Sequence, residues 1–222
     1  MRSFDDLYAM AVAHKGSAEA IEERLPTPKS AAELAAIPDD RYLAEMAKAI
    51  FSAGFVWKVV ENKWPGFEEA FDGFDPPRVA FYSDDDIARL MSDTRIIRNG
   101  PKVRAVHDNA VFLVDLAREH GSAARFFADW PASDFVGLWQ LLKKRGSRLG
   151  GTSAQFFLRF IGWDSPIVTG DVLKALVREG VVDKPPTSKA ALKAVQDAFN
   201  AWADQGGRSM SQISRLLALS VG

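Results

Sequence analysis

The sequence predicts an all-α fold. Apolar residues recur at spacings of three and four along nearly the whole chain, and no stretch of strict apolar–polar alternation is long enough for a strand. Ser, Thr, Asp, Gly and Pro also cluster where those periodic stretches begin and stop, as helix ends require. At the N-terminus, Pro26, Pro28 and Pro38 set off a short acidic region; residues 1–50 hold six Lys and Arg against nine Asp and Glu. From Asp39 to Trp64, the residues Met46, Ile50, Ala53, Trp57, Val60 and Trp64 form one helical stripe, with Gly54 inside it as a kink or a helix end. Ser83 followed by three aspartates reads as an N-cap with acids in the first turn, opening a helix through Met91. Pro101 suits a first helical turn, and Val103, Val106, Ala110, Leu113, Val114 and Ala117 carry that helix to Gly121.

Farther along, Phe135, Leu138, Trp139 and Leu142 repeat the pattern before Gly146. Thr187 and Ser188 cap a long helix bearing Leu192, Val195, Phe199 and Trp202, and a helix from Met210 to Leu219 follows it. Pro185-Pro186 marks a boundary before these last two helices, but no stretch is long enough for a flexible linker. The expected organisation is one domain over 1–222, two helical lobes in one compact unit, with 1–38 as a distinct N-terminal region.

The chain has 222 residues, 47% hydrophobic and 26% charged, an ordinary globular balance. Its 28 basic and 29 acidic side chains give a net charge of -1, so a polyanionic partner must be met by a local patch. The absence of cysteine excludes disulfides, iron–sulfur clusters, thiol nucleophiles and the usual structural zinc sites. The three histidines, His14, His107 and His120, stand apart from one another, so no metal and no cofactor is expected. No apolar run reaches the length of a membrane span; even Ala154 to Trp163 is broken by Arg159. The opening residues, MRSFDD, carry acids where a secretory signal would carry positive charge. A cytoplasmic monomer, away from membranes, is expected.

The near-neutral total hides two positive stretches. Arg95 to His107 holds Arg95, Arg98, Lys102 and Arg104 with no acid, and Phe135 to Trp163 holds Lys143, Lys144, Arg145, Arg148 and Arg159, again with no acid. Segregated charge of this kind neutralises phosphates, although solvated helix surfaces and helix C-termini collect cations too. The second stretch carries more than charge. Lys144 to Ser153 ends one helix at Gly146 and opens another after Gly151, with Thr152 or Ser153 as a cap. Two adjacent glycines let the backbone come close to a neighbour, and the N–H groups of a helix start bind a phosphate oxygen. That is the physics of a helix-hairpin-helix DNA anchor over 135–172, and equally of a plain αα-hairpin.

Several blocks together resemble the 3-methyladenine DNA glycosylase I family of the helix-hairpin-helix glycosylase superfamily. The most specific is Phe71-Asp72-Gly73-Phe74-Asp75-Pro76, then Val79-Ala80, Asp86 to Leu90, Ile96-Ile97-Arg98-Asn99, Lys102, Ala105 and Asn109-Ala110. It is similar to the family's F-x-x-F-D-P, V-A, I-I-R-N/H-x-x-K-I-x-A and N-A series. Ala53 to Trp57 resembles the family's Q-A-G-L-S-W segment, and Lys144 to Thr152 resembles its K-R-G-F-x-F-V-G-T-T hairpin. The resemblance spans roughly residues 45–172. The chain departs from the family at defined points. The glutamate that reads the alkylated adenine is replaced by Ala49, the N-terminal Y-H-D-x-E-W-G segment has no counterpart, and a zinc clasp of Cys and His cannot form without cysteine. Val168 to Val172 matches the frame of a wider superfamily motif but puts Thr169 where that motif has its aspartate, with Asp171 two residues on.

The resemblance implies a base-excision repair enzyme that binds double-stranded DNA carrying a damaged base. It would extrude an alkylated purine such as 3-methyladenine and hydrolyse its N-glycosidic bond. It places the base pocket at Trp57, Ala49 and Phe55, with Trp57 as the stacking wall and Phe55 as the wedge that fills the vacated duplex. It places DNA contacts at Lys102, Lys144, Arg145, Arg148, Gly150, Gly151 and Thr152. Glu45, one turn before Ala49, and Asp171 are the carboxylates expected to stand in for the missing glutamate. Two other readings of the same residues are a catalytically inactive DNA-binding protein of this fold and a helical protein-interaction module.

Overall fold

The computed structural model describes residues 1–54 and 56–221. In chain order its helices are α1 (Phe4–Lys15), α2 (Ala18–Glu22), α3 (Ala31–Ala35), α4 (Asp39–Ser52), α5 (Trp57–Ala70), α6 (Pro76–Ala80), α7 (Asp84–Ser92), α8 (Gly100–His120), α9 (Ala123–Asp129), α10 (Phe135–Arg145), α11 (Thr152–Ile161), α12 (Gly170–Arg178), α13 (Lys189–Gly206) and α14 (Met210–Leu219). Among the described residues there is no strand, so the all-α expectation holds. The single stripe expected from Asp39 to Trp64 is two helices. α4 stops at Ser52, Gly54 takes a left-handed φ of 78°, and α5 begins afresh at Trp57. The acidic N-terminal region holds three helices that its periodicity does not announce, two of them only five residues long.

The chain divides into two compact units: 1–29, 131–138 and 164–222 form one, and 30–130 with 139–163 form the other. In the first unit the N-terminal segment is tied down by a buried carboxylate. Glu179 accepts from the Arg2 backbone N–H at 3.0 Å and pairs with the guanidinium groups of Arg2 at 2.8 Å and Arg178 at 2.7 Å. Burial alone would raise the Glu179 pKa, but these three donors outweigh it and hold the carboxyl below its usual range. Trp202 is fully buried, and its indole N–H donates to the Arg2 carbonyl at 3.0 Å. Asp164 caps α14 by accepting from the Met210 and Ser211 backbone N–H groups at 2.9 and 2.8 Å.

In the second unit α4 packs against α8 and α11. Tyr42 stacks on Phe127 at 5.1 Å, and Trp64, Phe67, Phe71 and Phe74 form a stacked aromatic ladder whose links are 5.3–6.2 Å. The Phe71–Asp75 block thus has a physical reading. Phe71 and Phe74 are fully buried in that ladder, the backbone turns through positive φ at Asp72, Gly73 and Phe74, and Asp75 caps α6 by accepting from the Arg78 N–H at 2.9 Å. Ser83 and Asp86 form a reciprocal capping box at the start of α7, and Asn99 caps α8 ahead of Pro101.

Candidate nucleic-acid interface

One side chain of α8 pins the backbone of the hairpin between α10 and α11. Asn109 in α8 is fully buried; its amide N–H donates to the Ser147 carbonyl at 2.9 Å and its carbonyl accepts from the Ser147 N–H at 2.8 Å. A side-chain amide thereby pairs with both backbone groups of one residue, as a neighbouring strand would, and fixes the turn's position on α8. Gly146 turns tightly beneath it, because a Cβ there would lie 2.7 Å from the Leu142 carbonyl oxygen. Gly151 ends the turn at φ 59° and ψ -128°, a conformation that L side chains rarely adopt.

Gly151 is the N-cap of α11, and no side chain caps that helix. Thr152 and Ser153 therefore do not serve as the cap expected from sequence; they are the first residues of the helix proper. The leading N–H groups of α11 lack intrahelical partners and stand at the positive end of its dipole. Around them, Lys143, Lys144 and Arg148 are exposed and carry no ion-pair partner among the described residues. Gly150 lies against the Lys143 stem, where a Cβ would meet its Cγ at 3.4 Å. The turn presents a helix start without a side-chain cap and, close by in sequence, exposed positive charge, a combination suited to phosphate oxygens.

Two expected phosphate contacts are committed elsewhere. Lys102 is 6% exposed, and its ammonium donates to the carbonyls of Phe51 at 3.1 Å and Ala53 at 2.6 Å, satisfying the C-terminal end of α4. Burial, and then the nearby charge of Arg148, push its pKa below the usual lysine value. Arg145 grips Glu119 of α8 through two bonds of 3.0 and 2.9 Å and lies over the Phe112 ring at 5.2 Å. That pair holds the Glu119 carboxyl below its ordinary pKa through the hydrogen bond first. Both cations brace the scaffold behind the turn.

Of the expected base-pocket residues, Phe55 lies outside the described residues. Trp57 is half-buried at the start of α5, and Ala49 is buried at 4% exposure in the last turns of α4. Glu45 is half-buried one turn earlier on α4. Asp171 lies in the first turn of α12, exposed, with the Lys174 ammonium 2.7 Å away, and it belongs to the unit that does not contain Trp57. The sequence reading missed what surrounds Trp57. Its ring meets Phe156 at 5.4 Å and Phe160 at 5.1 Å, both steeply inclined. Their i, i+4 spacing on α11 was the available signal, but core stripes share it.

The thiolate donors of a zinc clasp are missing from the chain, and the described residues contain no group of three His, Cys, Asp or Glu placed to hold a metal ion. The residues present therefore do not fit that group. Among the described residues, no helix is long and apolar enough to cross a membrane.

The methyladenine glycosylase family matches residues 36–151. DNA-3-methyladenine glycosylase 1 of Escherichia coli is 38% identical over 58 residues, which cover 26% of this chain and 31% of that protein, so the match spans about a third of the relative's length. A crystal structure of a mutant 3-methyladenine DNA glycosylase I from Staphylococcus aureus superposes with a TM-score of 0.50 at 25% identity, over 56% of this chain and 77% of that one. The 8-oxoguanine glycosylase/lyase of Methanocaldococcus jannaschii, crystallised with DNA containing 8-oxoguanine, is alike in fold over 96% of this chain and 95% of its own, with a TM-score of 0.53 and 13% identity.

Proposed function

From the premise that this chain belongs to the methyladenine glycosylase family, matched over residues 36–151, we propose that it is a base-excision repair glycosylase releasing alkylated purines from double-stranded DNA. The observation that carries this reading is the turn at 146–151. Asn109 pins the turn at Ser147, ahead of an uncapped α11 N-terminus, and Lys143, Lys144 and Arg148, close by in sequence, have no ion-pair partner among the described residues. A phosphate seated there places one strand against α11, and the neighbouring cations add the sequence-independent attraction that duplex binding needs.

The reaction breaks the bond between the sugar's anomeric carbon and the base nitrogen, with water adding to the carbon as the base leaves. A purine alkylated on a ring nitrogen carries positive charge and departs as a neutral molecule. Holding the nucleotide outside the duplex and stabilising charge on the sugar therefore supply much of the catalysis. Glu45 is the carboxylate on the same helical face as Ala49 and is the better candidate for that stabilisation. Asp171 is exposed, in the first turn of α12. Damaged chromosomal DNA in the cytoplasm is the partner this reading implies.

A second reading, a DNA-binding member of the family that excises nothing, is favoured by Ala49 standing where the family's base-reading glutamate belongs. One assay separates the two: methylated genomic DNA is incubated with the protein and free bases are quantified by chromatography. Released 3-methyladenine or 7-methylguanine establishes the enzyme. Salt-sensitive DNA binding with no released base establishes the inactive binder.

A further inference from the structure

We propose that Arg98 and Lys58 form a second phosphate-binding edge, across the start of α5 from the hairpin, so that the duplex is gripped on both sides of the displaced nucleotide. The inference rests on the glycosylase reading and names where that protein holds its substrate. Neither residue is among the DNA contacts that the family resemblance implies.

Most cations of the second unit are engaged within the protein. Arg95 pairs with Asp93 at 2.7 Å and Glu69 at 2.6 Å, and Lys63 donates to the Thr94 carbonyl at 2.9 Å. Among the described residues, those of that unit with no hydrogen bond, ion pair or ring contact are Lys58, Arg98, Lys143, Lys144 and Arg148, and all five are exposed. Three of them belong to the hairpin; the other two serve no evident purpose in the scaffold. Lys58 lies in the first turn of α5, where the helix dipole disfavours a cation and no side chain caps the helix. Glu61, one turn farther along α5, does not pair with it. Arg98 precedes the Asn99 cap of α8, and the acids Asp93 and Glu69 are held by Arg95 instead.

Contacts within the unit set the two edges apart. Trp57 meets Phe156 and Phe160, so one face of the α5 start lies against α11, the second helix of the hairpin. Gly66 follows about two and a half turns later and therefore faces the opposite way. A Cβ there would lie 2.7 Å from the Arg95 Cβ, so the backbone leading to Arg98 packs directly on α5. On its other side, Lys102 fastens the start of α8 to the carbonyls of Phe51 and Ala53. The segment that carries Arg98 is thus held between α5 and the end of α4, while Lys143, Lys144 and Arg148 belong to the hairpin that leads into α11. Val56 and Val59, beside Lys58 in sequence, are 69% and 44% exposed, so this end of α5 stands open to a partner. Free cations on both flanks of one element suit a partner that carries anions along its length. The backbone of duplex DNA does so, and a single phosphate does not.

The test uses a labelled duplex with a central tetrahydrofuran abasic analogue, its affinity read by fluorescence anisotropy from about 50 to 200 mM salt. Arg98→Ala and Lys58→Ala should each weaken binding several-fold and lower the salt slope by about one, as a lost phosphate contact does. Arg98→Lys keeps the charge and should keep the slope. Arg118→Ala, about 27 Å along α8 from its first residue, should bind within about twofold of wild type. Two further duplexes, each cut short on one side of the analogue, locate the edges. The cost of Arg98→Ala and Lys58→Ala should vanish on one of them, and that of Lys144→Ala on the other. If all three costs vanish on the same shortened duplex, Arg98 and Lys58 lie on the hairpin's side and the second edge is overturned. An Arg118→Ala loss equal to that of Arg98→Ala makes the attraction diffuse and overturns it as well. An unchanged slope in folded Arg98→Ala and Lys58→Ala proteins overturns the proposal, while weaker binding by Lys144→Ala leaves the glycosylase reading standing. A wild type without salt-sensitive DNA binding overturns both.

Discussion

Replacing Asn109 by alanine tests whether the hairpin is a preformed anchor. The substitution removes two hydrogen bonds, of 2.9 and 2.8 Å, and leaves the Ser147 N–H and carbonyl without their partner in a partly buried turn. Each bond is worth about 1 kcal/mol net, and each stranded polar group adds about 1–3 kcal/mol where water cannot replace the lost partner. Ser147 is half-buried, so water recovers part of this, and a total near 2–4 kcal/mol is expected. For a chain of this size that lowers Tm by roughly 10 °C. DNA affinity should fall as well, because the N–H groups at the start of α11 no longer sit in one place.

Asn109→Asp sharpens the test: the acceptor for the Ser147 N–H survives, but a carboxylate oxygen faces the Ser147 carbonyl oxygen in place of the donor. It should destabilise at least as much as alanine at neutral pH and recover partly in acid, where a protonated carboxyl donates again. Urea melts of the three proteins and anisotropy with a labelled duplex read both effects. An Asn109→Ala protein that is folded, as stable as wild type and equal in DNA affinity would refute the clamp and the preformed anchor with it.

Other substitutions divide scaffold from interface. Lys144→Ala should weaken binding to all duplexes alike and lower the salt slope by about one, whereas Arg145→Ala should lower stability by releasing Glu119 and Phe112; a larger slope change for Arg145→Ala would reverse these roles. Gly151→Ala forces a Cβ onto a left-handed backbone at a cost of about 1–3 kcal/mol and should reduce DNA affinity through the displaced helix start; intact affinity in the folded variant removes the turn from the interface. Ala49→Glu restores the carboxylate of the resembled family and should raise release of 3-methyladenine from methylated DNA if the fold accepts a charge at a site only 4% exposed; unchanged release in a folded variant places base reading elsewhere. The Glu179 carboxyl has a folded pKa below its ordinary 4.5, so its stabilisation is present above that value and lost as pH falls through the folded pKa. Glu179→Gln should be less stable than wild type at pH 7, and the gap should narrow on acidification; a gap independent of pH refutes the ion-pair account.

What the sequence makes legible is local. Ser83 with Asp86, and Asn99 ahead of Pro101, are helix starts written within four residues, and the structure forms both. The hairpin's end at Gly146 and restart after Gly151 are equally local and equally plain. The contacts of Lys102 are hidden for a physical reason: a lysine's charge is visible in sequence, but the direction of its four-carbon stem is not. Its partners are the carbonyls of Phe51 and Ala53, some fifty positions away. The partner of Arg145 is hidden in the same way, since Glu119 is 26 residues distant. Asp171 differs, because Lys174 at i+3 on the same helix is a local partner that the spacing already offered. Phe156 and Phe160 hid behind a spacing that serves core and surface alike; only exposure separates the two.

The division between scaffold and reader bears on the substrate. Asn109, Lys102 and Arg145 spend their polar groups on holding α4, α8 and the hairpin in register, so the turn proposed to meet DNA rests on fixed parts. The pocket expected from the family resemblance is apolar at Ala49 and aromatic at Trp57, whose ring meets Phe156 and Phe160. Such a surface supplies little that protonates a leaving base, and a neutral lesion with a strong glycosidic bond needs a proton as it departs. A cationic alkylpurine needs none, because breaking the bond itself neutralises the base. Under the proposed function, the chemistry left to this chain suits lesions that arrive already charged. Departure of that kind would not require the carboxylate that Ala49 replaces.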